Sequence, residues 1–201
     1  MTNTEILSLA RDAIARESAA VAHLAGQLDD SFASVANVLL NCRGHVLVAG
    51  SGTSNPVAAR FAHLLSCVGP PALFIHPGDS QHGLAGAVTA RDVLVCISKG
   101  GETTEVIHLA RVAKARDATL VALTEKPEST LGGMADFVLK VIAPPDVDPF
   151  GMVATGSSLV NSAFADAMCV ALLRMRGYGV AEFGQTHPGG AVGRKLRGEE
   201  P

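Results

Sequence analysis

The chain has 201 residues, of which 48% are hydrophobic and 17% are charged. A chain of this length can bury the core of one domain without help from disulfides or metals. Its 16 Lys and Arg residues and 19 Asp and Glu residues give a formal net charge of −3, which does not favour a general nucleic-acid or polybasic membrane binder. Aromatic residues are scarce, with no Trp, one Tyr and seven Phe, which favours helices packed on a buried sheet over a β-sandwich or barrel.

The N-terminus carries both signs of charge and lacks a basic segment followed by an apolar one, so we expect no signal peptide. No apolar run reaches the ~18 residues that span a bilayer, so we expect no membrane association. Cys42, Cys67, Cys96 and Cys169 lie far apart among apolar neighbours. This pattern favours buried free thiols over a disulfide framework or a cysteine metal site, and the cytoplasm is the compartment we expect.

Two helices precede the first strand signal. Thr2 and Glu5 fit a capping box, and apolar residues then recur at helical spacing. A second helical stretch covers 30–41. We expect residues 1–43 to form an N-terminal helical extension, and residues 44–201 to form an αβα core with a C-terminal helical tail, all within one domain.

Five short apolar segments then alternate with mostly helical ones, which is typical of a parallel sheet covered by helices on both faces. The predicted strands are 45–50, 72–75, 92–97, 119–123 and 137–142. A long helix over 157–176 is apolar on most of its circumference, so we expect it to be buried in the core or in a subunit interface. The sequence therefore predicts an α/β protein, a three-layer αβα sandwich with a five-stranded parallel sheet.

Two of the predicted strands end in Gly-rich, hydroxyl-rich loops, 50–55 and 98–104, that run straight into helices. Such loops gather backbone N–H groups, hydroxyls and a helix N-terminus, all of which stabilise an anion. Ligands of open α/β sheets gather at the carboxyl ends of strands, where both loops lie. We interpret them as a phosphate site, with ordinary tight turns as the alternative. The first loop fits neither the dinucleotide-binding nor the Walker A glycine spacing, so a nucleotide is the weaker choice of ligand.

Two residues are candidates for proton transfer. Glu102 begins the helix after the second loop, and a partly desolvated pocket would raise its pKa; its alternative role is to complement the helix dipole. His187 precedes a Pro-Gly-Gly segment, and its alternative role is that of a cap or a packed surface residue. His76 and His82 flank a turn, but Asp79 is the only carboxylate near them, so we predict no metal site.

Several motifs resemble a known family. The segments 49–54, 97–103 and 155–158 are similar to those of a sugar isomerase (SIS) domain, and the resemblance covers nearly the whole chain. The segments 76–83, 148–151 and 187–196, the last with the sequence HPGGAVGRKL, are similar to the D-arabinose 5-phosphate isomerase (KdsD/KpsF/GutQ-like) branch. The resemblance implies a homotetramer with its active site at a subunit interface. It also implies an isomerase that interconverts an aldose phosphate and a ketose phosphate through a cis-enediol(ate), and we predict no cofactor.

The resemblance also assigns roles by position. It places Glu102 and His187 at acid–base positions. The substrate-binding positions are Ser51, Thr53, Ser54, His82, Ser98, Lys99, Thr103, Asp146, Ser157 and Ser158.

Three of those positions depart from the usual pattern or have an alternative role. Thr53 stands where these isomerases usually carry Lys, and Lys99 is either a replacement cation or a solvated loop charge. Asp146 replaces a glutamate of the family. Without the resemblance, the sequence predicts that Asp146 and Asp148 are solvated charges in a Pro-rich loop.

Two other function classes stay open at this point: a non-catalytic phosphosugar-binding module, and a nucleotide-binding α/β protein. The chain stops shortly after Leu196, where the resembling enzymes often continue into a pair of CBS domains. We therefore expect no such regulatory module.

Overall fold

The structure of the protein is a computed structural model that describes residues 1–199. The strands are β1 (Val46–Gly50), β2 (Ala72–Phe74), β3 (Val93–Ile97), β4 (Thr119–Thr124) and β5 (Phe137–Lys140). The α-helices are α1 (Asn3–Leu24), α2 (Asp30–Leu40), α3 (Ser54–Cys67), α4 (Pro77–Ser80), α5 (Thr104–Ala115), α6 (Thr130–Met134), α7 (Gly156–Arg176), α8 (Val180–Thr186) and α9 (Gly190–Leu196). Short 3₁₀ turns occupy Ala25–Gln27, Leu84–Ala87 and Pro149–Gly151.

All five strands are parallel, in the order β2-β1-β3-β4-β5. Because side chains alternate across a strand, each central strand supplies both faces of the sheet. Val46 and Val48 of β1 face one hydrophobic cluster, and Leu47 and Ala49 face the other. The first cluster is covered by α1, α2, α3 and α7, and the second by α5 and α6. The predicted three-layer αβα sandwich is confirmed.

The N-terminal helical extension is also confirmed. Thr2 and Glu5 form the predicted capping box at the start of α1, and Asp29 caps α2 through the amide of Ser31. The extension also contacts the chain just after β5, which ends at Lys140, two residues earlier than predicted. Gln27 exchanges two side-chain hydrogen bonds with the backbone of Ile142, both 2.8 Å long, so a side chain takes the place of a neighbouring strand there.

Helix α7 is long and apolar enough to cross a membrane by length and composition, and within residues 1–199 it is the helix that meets this test. Its residues Val160, Phe164 and Met168 are instead packed in the first hydrophobic cluster. Asp166, on the same helix, pairs with Arg60 of α3 through two N–O contacts of 2.5 and 3.0 Å. Leu159 and Val170 remain exposed, so one subunit does not cover the whole helix.

All four cysteines are free thiols, as predicted. The prediction that all four are buried is wrong for Cys42 and Cys67, which are half-buried. Burial raises the pKa of the Cys96 and Cys169 thiols to about 12. The predicted boundary at residue 201 lies outside the described residues, and the assignment of the chain to one domain stays a prediction.

Candidate active site

The sheet order brings the two Gly-rich loops together. Strands β1 and β3 are neighbours, with Gly50 opposite Ile97 in register, although β2 separates them in sequence. The chain leaves β1 toward one edge of the sheet and continues from β3 toward the other. This reversal is the switch point at which open α/β sheets bind ligands. Loops 50–55 and 98–104 therefore begin side by side at the carboxyl edge of the sheet.

Glycines shape both loops. A Cβ atom on Gly50 would lie 2.6 Å from the carbonyl oxygen of Ser54, so α3 can pack closely on β1 only without a side chain there. Gly101 has φ of +68°, and a Cβ atom on it would overlap Ser129 Oγ. The close approach holds the 98–104 loop against the turn before α6. Both loops consequently have a compact backbone where they enter the helices.

Ser98 and Thr103 form the centre of the second loop. The Ser98 side chain lies 3.0 Å from Thr103 Oγ1, and its oxygen accepts a hydrogen bond of 3.2 Å from the amide of Gly101. Ser98 is buried, whereas Thr103 is half-buried. The structure therefore brings two of the predicted substrate-binding hydroxyls together at the start of α5.

The other predicted substrate-binding residues form no such pair of side chains. Ser51 and Ser54 are half-buried at the start of α3, and Thr53 is exposed. His82 is exposed in the turn after α4, and Asp146 is exposed in the loop before α7. Ser158, half-buried in the first turn of α7, donates its hydroxyl to the carbonyl of Thr155.

The expectation of a raised pKa at Glu102 is wrong. Its side chain is exposed, and Oε1 accepts a hydrogen bond of 2.7 Å from the amide of Thr130, the first residue of α6. Hydrogen bonds from Thr130 lower the pKa of Glu102 below its ordinary value. Glu102 is consequently an ionised carboxylate at neutral pH.

Asp148 was predicted to be a solvated loop charge, and the structure contradicts this. Its carboxylate accepts a hydrogen bond of 2.9 Å from the amide of Ser157 and pairs at 2.9 Å with Lys99 Nζ. Burial alone would raise the pKa of Asp148, but the hydrogen bonds from Ser157 and the ion pair with Lys99 outweigh it and hold that pKa low. The Lys99 side chain is 41% exposed, but its ammonium is paired with Asp148 and is not simply a solvated charge.

Sequence reasoning missed Asp148 because two aspartates lie two residues apart in the same loop, and the resemblance selected the first. Asp148 does fall inside the quoted 148–151 motif, and it precedes Pro149 at the start of a 3₁₀ turn. Those signals mark it as a structured position. Only the fold brings Lys99, 49 residues earlier in the chain, into contact with it.

The structure does not bring His187 to Glu102 within one chain. His187 Nε2 lies 3.5 Å from the thiol of Cys67, at the last turn of α3. The ring stacks on Phe183 with centroids 3.8 Å apart, and Nδ1 lies 3.1 Å from the Phe183 carbonyl oxygen. Because α3 starts at the candidate site and rises 1.5 Å per residue, its far end is about 20 Å away. The histidine therefore lies near the amino-terminal ends of the strands, whereas the two loops lie at their carboxyl-terminal ends.

The two turn histidines behave differently from each other. His76 caps α4, its Nδ1 accepting a hydrogen bond of 3.3 Å from the amide of Asp79. Among residues 1–199, no group of three or more His, Cys, Asp and Glu side chains has the arrangement of a metal site. The absence of a metal site at His76 and His82 stays a prediction.

Comparison with known proteins places this architecture in a family. A model of the SIS domain matches residues 39–171. The chain belongs to the SIS domain family. This SIS chain is 36% identical over 180 residues to arabinose 5-phosphate isomerase KdsD of Yersinia pestis, covering 90% of this chain and 55% of the relative. It is 34% identical to arabinose 5-phosphate isomerase KpsF of Escherichia coli over 192 residues, covering 95% of this chain and 59% of the relative.

Two solved structures are similar over most of the SIS chain. An E. coli CFT073 protein in complex with arabinose 5-phosphate has a TM-score of 0.89 and 29% identity, covering 94% of this chain and all of that one. A Listeria monocytogenes protein described as a candidate sugar-phosphate isomerase has a TM-score of 0.91 and 33% identity, again covering 94% of this chain and all of that one. The chain spans little more than half the length of the curated relatives it matches.

Proposed function

We propose that this chain is an aldose–ketose isomerase that interconverts arabinose 5-phosphate and ribulose 5-phosphate. The observation that carries the proposal is the meeting of the 50–55 and 98–104 loops, both candidates for binding an anion, at the β1–β3 switch point, with Ser98 and Thr103 hydroxyls 3.0 Å apart. The similarity to proteins named arabinose 5-phosphate isomerase, and to a protein solved with arabinose 5-phosphate, supports this substrate class.

In the proposed site, hydroxyls and backbone amides hold the phosphate group. We assign these contacts to Ser51, Ser54, Ser98, Thr103, Ser157 and Ser158. The helix starts of α3 and α5 add the N-terminal ends of their dipoles, which stabilise negative charge. His82 and Asp146 are assigned to the sugar side of the site, and Thr53 is assigned to the phosphate-binding loop 50–55. An anchored phosphate keeps the reacting carbons in one position for proton transfer.

The proposed chemistry moves a proton between adjacent carbons through a cis-enediol(ate). It needs one group that takes the carbon-bound proton and a second that moves protons between the two oxygens. We assign these tasks to Glu102 and His187. The Glu102 carboxylate is ionised at neutral pH and can accept a proton, but its lowered pKa makes it a weaker base than the raised pKa expected from the sequence.

We infer that His187 serves the site of a neighbouring subunit in a homotetramer. Its contact with Cys67 at the far end of α3 supports this, because residues of one chain leave it about 20 Å from the loops. Exposed apolar side chains on α1 (Ile6, Leu9 and Ile14) offer a surface for a second copy. The four free thiols support the cytoplasm as the compartment.

The test is turnover of a panel of pentose and hexose phosphates, followed by ¹H NMR in D₂O. We expect conversion of arabinose 5-phosphate, with deuterium entering at the carbon that exchanges its proton. Complete retention of the original proton in the product would contradict the enediol(ate) route. Tight binding with no turnover of any sugar phosphate would replace the isomerase with the phosphosugar-binding module.

A further inference from the structure

Asp148 is the most deeply buried carboxylate that pairs with a lysine in the described chain. Its side chain is 2% exposed, against 37% for Asp136 in the Lys114–Asp136 pair. It joins two loops at the candidate site, since one oxygen binds Lys99 and the other binds the amide of Ser157 at the start of α7. A charge is costly to bury, and both of these partners offset that cost.

The ammonium of Lys99 faces two carboxylates. Nζ lies 2.9 Å from Asp148 and 3.9 Å from Glu125 Oε1. The three side chains together carry a net charge of −1. This cluster therefore presents no net positive charge to an anion at the adjacent loop, although Lys99 follows Ser98 directly in sequence.

The backbone of Lys99 holds the side chain on this side of the loop. Its carbonyl oxygen accepts hydrogen bonds of 3.0 Å from both the amide of Glu125 and the hydroxyl of Thr124. These contacts tie Lys99 to the end of β4, on the side away from the 50–55 loop. A lysine stem is flexible, so only the ion pair restrains the ammonium at its end.

We propose that Asp148 is a specificity-determining positioning residue that withholds the Lys99 ammonium from a phosphate bound at the 98–104 loop. The hydroxyls and amides of the loops then recognise the phosphate without a lysine. The inference rests on the proposed function only in placing a phosphate group at these loops. It accounts for a site in which Thr53 stands where a lysine is usual and the lysine within the 98–104 loop is already paired.

The test is a double-mutant cycle on binding of arabinose 5-phosphate and inorganic phosphate, measured by calorimetry at low and high salt. In the native background, Lys99→Gln should weaken binding by less than about twofold. In an Asp148→Asn background, the same change should weaken it by about three- to tenfold, since the ammonium then faces only Glu125, at 3.9 Å, and can interact with the anion. That added effect should fade at high salt, a response that altered folding alone does not produce.

Asp136→Asn is the matched control. Asp136 also joins a lysine to a backbone amide, with Lys114 Nζ at 2.6 Å and the amide of Leu120 at 2.8 Å, but at the amino edge of the sheet. In the Asp136→Asn background, Lys99→Gln should weaken binding only slightly, as it does in the native background. Equal effects of Lys99→Gln in the native and Asp148→Asn backgrounds would overturn the proposal.

A second measurement covers the case in which Asp148→Asn does not fold. With [¹³C]lysine in the native chain, and Lys99 assigned through Lys99→Gln, its Cε signal should stay unchanged when phosphate binds. A shift of that signal comparable to those of the loop amides would overturn the proposal. The cycle measures binding, so a chain that binds arabinose 5-phosphate but never isomerises it contradicts the proposed function alone. Failure of both backgrounds to bind any phosphate compound contradicts both proposals.

Discussion

Ser98 is the residue at which local geometry and proposed ligand binding coincide. Its hydroxyl is buried, touches Thr103 and accepts the amide of Gly101. Losing a hydrogen bond to a charged group costs roughly 1.5–3 kcal/mol. We therefore expect Ser98→Ala and Ser54→Ala each to weaken sugar-phosphate binding about tenfold or more, as measured by calorimetry, and Lys99→Ala to have a smaller effect.

The control for this prediction is Ser66→Ala. The Ser66 hydroxyl donates to the carbonyl of Ala72 at 2.8 Å, away from the two loops. Its removal should leave sugar-phosphate binding unchanged. Normal binding by both Ser98→Ala and Ser54→Ala, with binding abolished by Lys99→Ala, would show that a cation and not hydroxyls holds the phosphate.

Asp92 is a buried carboxylate at the amino-terminal end of β3, opposite the candidate site. It accepts hydrogen bonds from the amides of His45 and Thr89, both 2.7 Å long, and from the Thr89 hydroxyl at 2.9 Å. Burial alone raises its pKa, but these hydrogen bonds outweigh that effect and lower the pKa. The carboxylate therefore stabilises the fold above its unfolded pKa of about 4, and this contribution is lost as the pH falls through the folded pKa.

We expect Asp92→Asn to lower the free energy of unfolding by about 2 kcal/mol at pH 7, measured by urea denaturation, because an amide nitrogen replaces one acceptor. The difference from the native chain should shrink as the pH falls from 5 to 3. Asp12→Asn, at an exposed position of α1, serves as the control and should change stability little at either pH. A difference that does not depend on pH would show that the ionised carboxylate is not the stabilising form.

At the scale of elements, the connection between the 98–104 loop and α6 depends on one glycine. Gly101 donates to Ser98 and accepts from the amide of Leu131, and its Cβ position is occupied by Ser129. We expect Gly101→Ala to lower the free energy of unfolding by roughly 2–4 kcal/mol, because it adds a steric clash to a positive φ. Thermal and urea unfolding measure this, and phosphate binding should weaken with it.

Gly100→Ala is the matched control, since a Cβ atom there would meet no heavy atom within 4 Å. It should be close to neutral in both measurements. If the two alanine variants behave alike, the close approach of the loop to α6 is not what shapes the site.

At the scale of the whole molecule, the placement of His187 has a direct consequence. If Glu102 and His187 act in one site but come from different subunits, each single change should lower kcat by about 10²–10⁴-fold. Mixing inactive Glu102→Gln subunits with inactive His187→Ala subunits should then restore part of the activity, because some mixed sites hold both native residues. An isomerisation assay after subunit exchange measures this recovery.

Light scattering and mass spectrometry of the mixture provide the control, since they show whether a tetramer forms and whether subunits exchange. No recovery after complete exchange would mean that each site is built within one chain. A monomer of about 20 kDa at micromolar concentration would rule out the shared site. Near-native rates for both single variants would remove these two residues from the mechanism.

The sequence by itself determined the layers of this protein. Continuous apolar strands followed by Gly-rich loops are local signals, and they predicted the parallel sheet, its covering helices and both candidate anion loops. Tertiary structure decided which side chains contact each other, and with them the burial, ion pairs and pKa values at the candidate site. The strand order placed the loops from β1 and β3 together, the α6 start lowered the pKa of Glu102, and Asp148 became buried against Lys99. Those outcomes depend on contacts between residues far apart in the chain, which hydrophobic periodicity does not encode.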